Sequence, residues 1–129
     1  MGRDKEAKRA YDRKYQAQRK EARQQRRLEN PDCYKDTEIR SKYGIGLNDY
    51  YMILGLQGGG CAICNSVDPG FKRRYFCVDH CHTTGKVRGL LCHSCNLGIG
   101  HFKDDLSLII SAQTYLTSPP FSHFHDQNF

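Results

Sequence analysis

The sequence contains no long apolar run. No stretch approaches the roughly 18 consecutive apolar residues that a membrane-spanning helix needs. The Arg/Lys-rich N-terminus is not followed by the apolar segment of a secretory leader. Proline and glycine are missing between Arg3 and Leu28, so nothing there interrupts a helix. Apolar residues are scarce in the same stretch, and no sustained apolar stripe follows the Tyr11/Tyr15 pair, which stands one turn apart. These absences predict a soluble protein in a reducing, cytoplasmic compartment. Clustered cysteines in such a place read as metal ligands rather than disulfides.

Positive charge is present and unevenly placed. The chain of 129 residues carries a formal net charge of +6. Residues 1–27 hold eleven Lys/Arg against four Asp/Glu, whereas residues 28–129 hold nine against ten. The excess therefore sits on an N-terminal arm. A basic arm on a near-neutral body points to a polyanion, DNA above all, because each cation that neutralises a phosphate releases counterions. The arm has too little apolar surface to fold onto a core, so a lone helix is expected there.

Asn30-Pro31-Asp32 breaks the arm. Residues 36–43 read as a short helix ended by Gly44. Asn48 is expected to cap a second helix, with Leu47, Tyr50, Tyr51 and Leu54 at helical spacing as core residues. Gly58-Gly59-Gly60 turns the chain into Cys61. Residues 65–73 read as a loop, 74–79 as a strand, Thr83-Thr84-Gly85-Lys86 as a turn and 87–91 as a second strand. A helix begins near Cys92 and carries Asn96. A further amphipathic helix, 104–116, is capped at Asp104/Asp105 and expected to pack Leu106, Ile109, Ile110 and Leu116 on the domain. Ser118-Pro119-Pro120 stops it, and His123 and His125 in the loose tail read as incidental. The expected divisions are an arm at residues 1–30, a folded domain at 31–118 and a tail at 119–129.

Seven cysteines are present, and four of them form two CxxC pairs, Cys61/Cys64 and Cys92/Cys95, with 27 residues between the pairs. Two such turns can close a tetrahedral shell of four thiolates around zinc, leaving no open position for water. That zinc is structural. It suits a chain with only about a hundred residues outside the arm, for which zinc binding supplies on the order of 10 kcal/mol of folding free energy. Cys33 lies far from the pairs and reads as a plain thiol.

Between the pairs lies Asp79-His80-Cys81-His82. A carboxylate and a nearby amide oxygen, Asn96, are hard ligands suited to Mg²⁺, with Mn²⁺ as a substitute. A neutral histidine can take a proton from water near neutral pH. Lys72, Arg73, Arg74, Lys86 and Arg88 add positive charge for a phosphate backbone. By itself the cluster is equally open to a reading as surface polar groups or further zinc ligands.

The runs Gly59-Gly60-Cys61-Ala62-Ile63-Cys64, Val78-Asp79-His80-Cys81-His82 and Thr84-Gly85-Lys86-Val87-Arg88-Gly89-Leu90-Leu91-Cys92-His93-Ser94-Cys95-Asn96 resemble the phage recombination endonuclease VII family of HNH-like nucleases. The resemblance covers roughly Tyr43 to Leu116. It implies a small α+β fold: a zinc-stapled ββα-metal (His-Me finger) core with flanking helices, here with a basic helical arm. It implies Asp79 and Asn96 as Mg²⁺ ligands, His80 as general base, His82 near the scissile phosphate, and hydrolysis to a 5′-phosphate and a 3′-hydroxyl. Two positions depart from the family pattern. Cys81 stands where members often carry Asp, and Ile99 stands where endonuclease VII has a metal-assisting Glu, so no third carboxylate is expected from that helix. The implied function is a Mg²⁺-dependent DNA endonuclease, junction-resolving or nicking, monomeric or homodimeric, acting in the host cytoplasm if phage-encoded. The competing reading is a zinc-ribbon nucleic-acid-binding module without catalysis.

Overall fold

The computed structural model describes residues 2–121, with side chains from residue 5 onward. His123, His125 and most of the expected tail lie outside the described residues. The chain divides into two compact units, Met1–Tyr51 and Met52–Phe129.

In the first unit, α1 (Gly2–Glu29) is one unbroken helix, exposed along its described length. At 1.5 Å per residue it is about 42 Å long. Asn30 ends α1 and starts α2 (Pro31–Tyr43). Its side-chain oxygen accepts the Cys33 N–H at 3.1 Å, and Pro31 takes the first helical position, where its missing donor costs nothing. The Asn-Pro-Asp break is thus also a start signal, and α2 begins five residues earlier than the expected 36–43. Gly44 closes α2 in the left-handed region (φ 70°), as a C-cap glycine does. α3 (Leu47–Leu56) spans the boundary between the units. Asn48 is not its cap. Asp49 reaches back to the Gly46 N–H at 2.8 Å, the carboxylate half of a capping box, and Asp36 accepts the Leu47 N–H at 2.7 Å. Of the aromatics expected in the core, Tyr50 is buried and Tyr51 is exposed.

The second unit is built on an antiparallel hairpin, β1 (Cys77–His80) and β2 (Val87–Leu91). β1 is shorter than the expected 74–79 strand because its partner runs out. Cys77 pairs with Leu91, and the next residue, Cys92, turns away to cap the following helix. Val78 pairs with Leu90, both buried, and with Phe76 and Leu91 they make a small core. Asp79 pairs with Gly89 but His80 pairs with Val87, so Arg88 is the extra residue of a β-bulge. α4 (His93–His101) packs on both strands.

α5 (Leu106–Thr117) departs from expectation. Asp105 alone caps it, accepting the Ser107 and Leu108 N–H groups, while Lys103 and Asp104 both take φ near +55°. This left-handed pair redirects the chain. Only Ile109 and Ala112, one turn apart, are half-buried, and Leu106 and Leu116 stay 68% and 76% exposed. The expected Leu106/Ile109/Ile110/Leu116 packing face is therefore largely open. Among the described residues no helix is long and apolar enough to cross a membrane.

Candidate functional site

Cys61, Cys64, Cys92 and Cys95 converge, with all four sulfurs within 4.8 Å of one another. The Cys64 and Cys92 sulfurs are 3.7 Å apart. Zinc–sulfur bonds of 2.3 Å in a tetrahedron put sulfurs about 3.8 Å apart, so the cluster has the size of a zinc shell. Backbone groups shape each turn. The Ile63 N–H points at the Cys61 sulfur, and the Cys95 N–H points at that of Cys92, which serves as the N-cap of α4. Gly60 precedes the first turn because a Cβ there would lie 2.6 Å from the Asn65 carbonyl oxygen.

The charges also call for a cation. Burial opposes ionisation of Cys61, yet backbone N–H groups of Cys64, Cys92 and Ile63 pull its thiol down to about 6. Burial, together with hydrogen bonding to the neighbouring sulfurs and the charge on Cys61, pushes the Cys95 thiol up. Four thiolates so close repel one another unless a dication sits among them, and the set fits zinc. Cys33 lies outside the cluster.

The second site lies at the turn end of the hairpin. β1 ends on Asp79 and His80, and a turn closed by the Gly85 N–H to Cys81 carbonyl bond carries His82. The His80 and His82 rings lie 4.8 Å apart. Cys81 serves the turn: the Thr84 hydroxyl, the Thr84 and Thr83 N–H groups and the Arg88 charge pull its thiol down to about 7. The bulge brings the Arg88 guanidinium onto Asp79 in a fork, Nε to Oδ2 at 2.7 Å and Nη2 to Oδ1 at 2.9 Å. These bonds hold the Arg88 pKa even higher than usual.

Sequence reasoning missed Asp104 as a member of this cluster. Its Oδ2 lies 3.3 Å from Arg88 Nη2 and 3.5 Å from His82 Nε2, and its side chain is only 19% exposed. Its sequence position marks it as a helix cap, and the left-handed turn at 103–104 carries it to Arg88 instead. Ile99 supplies no carboxylate from α4, as expected, but the turn after α4 does.

Asn96 stands in the first turn of α4, half-buried, directly after the zinc-cluster residue Cys95. Lys86 is exposed at the start of β2's approach, and Lys72, Arg73 and Arg74 are exposed in the loop that enters β1. Two carboxylates against one guanidinium leave one net negative charge on hard oxygen donors, the chemistry a hard dication such as Mg²⁺ accepts, while among the described residues the only His, Cys, Asp or Glu side chains gathered closely enough to hold a metal ion are the four cysteines.

A family model for recombination endonuclease VII matches residues 36–118. Among curated proteins, the Gene 59 protein of Mycobacterium phage D29 is 43% identical over 86 residues, which make 66% of this chain and 51% of that protein. The Gene 59 protein of Mycobacterium phage L5 is 41% identical over 86 residues, with the same shares. The chain thus spans about half the length of the curated relatives it matches. No solved structure matches it at a significant level. The matched stretch contains both CxxC pairs, the His80/His82 pair and Asn96, and the chain belongs to the recombination endonuclease VII family.

Proposed function

We propose that the chain is a metal-dependent DNA endonuclease. The observation that carries this reading is the joining of Asp79, His80, His82, Arg88 and Asp104 at the end of a hairpin on which the Asn96 helix packs. A zinc-binding module would need the four cysteines alone. Asp79 and Asn96 would hold Mg²⁺, which when bound offsets charge on the phosphate and the leaving oxygen. His80 takes a proton from water. The water oxygen then bonds to phosphorus in line, and the bond to the 3′-oxygen breaks with its electron pair going to that oxygen, which takes a proton from solvent water, leaving a 5′-phosphate and a 3′-hydroxyl. His82, held by Asp104, faces the phosphate. Lys72, Arg73, Arg74 and Lys86 position the backbone, and α1 adds sequence-independent affinity. Each site cuts one strand, so cutting both strands of a duplex, or resolving a junction, calls for two copies.

One observation favours the non-catalytic reading. The Arg88 fork already engages both Asp79 oxygens. On the endonuclease reading Arg88 must share or release that carboxylate when Mg²⁺ binds, which frees its guanidinium for phosphate. A plasmid-nicking assay with and without Mg²⁺ separates the two readings. Mg²⁺-dependent nicking that His80→Ala abolishes, at unchanged zinc content, is the expected result. DNA binding without cleavage across divalent metals would establish the module instead.

A further inference from the structure

The loop before β1 displays an aromatic ring that nothing in the fold requires to be outside. Phe71 is 82% exposed. Gly70, Phe71 and Lys72 form three consecutive left-handed residues, with φ of 79°, 53° and 54°. That conformation is unfavourable for a bulky side chain and persists only where its surroundings enforce it.

The surroundings do enforce it. The Asp68 carboxylate accepts the Gly70 N–H at 2.8 Å, the Arg73 N–H bonds to the Gly70 carbonyl, and the His93 N–H bonds to the Pro69 carbonyl at 2.8 Å. One face of the Phe71 ring lies on the His93 imidazole, centroids 5.1 Å apart and planes 30° from parallel. The loop therefore holds the ring in place without burying it.

Position gives the ring its meaning. His93 and Asn96 are three residues apart on α4 and so lie on one helix face. The ring is stacked one turn from the residue proposed to hold the catalytic metal. Lys72, Arg73 and Arg74 follow it, all exposed, and make its neighbourhood attractive to a polyanion.

We infer that Phe71, backed by His93, is a nucleobase-stacking platform that receives a base lying outside the double-helical stack, beside the phosphate to be cut. The inference rests on the DNA-endonuclease reading. It adds a contact that reads a base where the basic residues read only phosphate. Every base has a π-face, so the platform selects for an unstacked base without selecting its identity.

The test uses the zinc-loaded protein without Mg²⁺, so that no cleavage competes. A duplex oligonucleotide carrying 2-aminopurine as a single-base bulge is compared with the fully paired duplex. Wild type quenches the bulged fluorophore. Phe71→Ala and Phe71→Leu lose the quenching and bind the bulged duplex on the order of tenfold more weakly, and Phe71→Tyr restores both. Affinity for the paired duplex stays the same in all variants.

Quenching that survives in Phe71→Ala overturns the platform. So does an equal loss of affinity for both duplexes, or a change in oligomeric state on substitution without DNA. Binding of neither duplex by wild type overturns the platform and the DNA reading together. Phe71-dependent quenching in a protein that cuts nothing once Mg²⁺ is added upholds the platform and removes only the nuclease reading.

Discussion

Gln57 offers a sharp test of how the hairpin is held. β2 pairs with β1 along one edge only, and its other edge would leave the Leu90 peptide groups buried and unpaired, since Leu90 is fully buried. The Gln57 amide takes the place of a third strand. Its Oε1 accepts the Leu90 N–H at 2.8 Å, and its Nε2 donates to the Leu90 carbonyl at 2.9 Å and to the Gly60 carbonyl at 2.9 Å. Gln57→Leu keeps the size and removes all three bonds. The Leu90 carbonyl retains the Ala62 N–H at 3.1 Å, but the Leu90 N–H is orphaned. At about 1 kcal/mol for each of the two bonds that Nε2 donates, and 1–3 kcal/mol for the buried unsatisfied donor, the loss comes to roughly 3–5 kcal/mol. That is a large part of the 5–15 kcal/mol typical of a domain. Urea denaturation at fixed free zinc measures it, because zinc binding to the folded form shifts apparent stability. The Leu90 amide should also exchange with solvent roughly 150- to 5000-fold faster. On the proposed endonuclease reading, cleavage at low temperature should persist, since Gln57 touches no member of the Asp79 cluster in the contacts described. A loss under about 0.5 kcal/mol, with zinc content unchanged, would refute the view that the amide substitutes for a strand.

Two further outcomes follow from the site geometry. Asp104→Asn keeps the shape of the turn but leaves Arg88 one carboxylate partner; on the proposed reading half-saturating Mg²⁺ rises roughly threefold to tenfold, as fits a loss of about 1 kcal/mol from one nearby charge, and an unchanged Mg²⁺ titration would remove Asp104 from the site. Metal analysis should find one zinc per chain, absent in Cys64→Ser and unaltered in Cys33→Ser, and a strong chelator should abolish the far-ultraviolet signal of the hairpin unit; a chelator-resistant fold would count against a structural zinc.

The parts of this protein that the sequence made legible are those set by spacing. Two CxxC pairs must place four sulfurs together whatever lies between them, and the cluster is found at zinc dimensions. Asn30, Pro31 and Gly44 act through their own backbone chemistry, so they mark helix ends even where the expected start was misplaced by five residues. The parts that stayed illegible depend on backbone conformations that side-chain identity does not announce. Nothing in the types of Lys103 and Asp104 foretells a φ of +55°, yet that pair opens the face of α5 and swings Asp104 to Arg88. A bulge at Arg88 is equally silent in a sequence that reads as five regular strand residues.

These two irregularities meet on one guanidinium, and that bears on the chemistry more than either does alone. A regular β2 would place residue 88 opposite His80 in the ladder, whereas the bulge frees it to fork both Asp79 oxygens. Asp104 then gives the same cation a second anchor. If Mg²⁺ takes Asp79, Arg88 keeps Asp104 and does not have to leave the site. On the proposed endonuclease reading the cost of displacing it is thereby lowered, and the freed nitrogens stay beside the phosphate. On that reading the carboxylate missing at Ile99 is answered from the turn after α4, by a residue that need not touch the metal to make room for it.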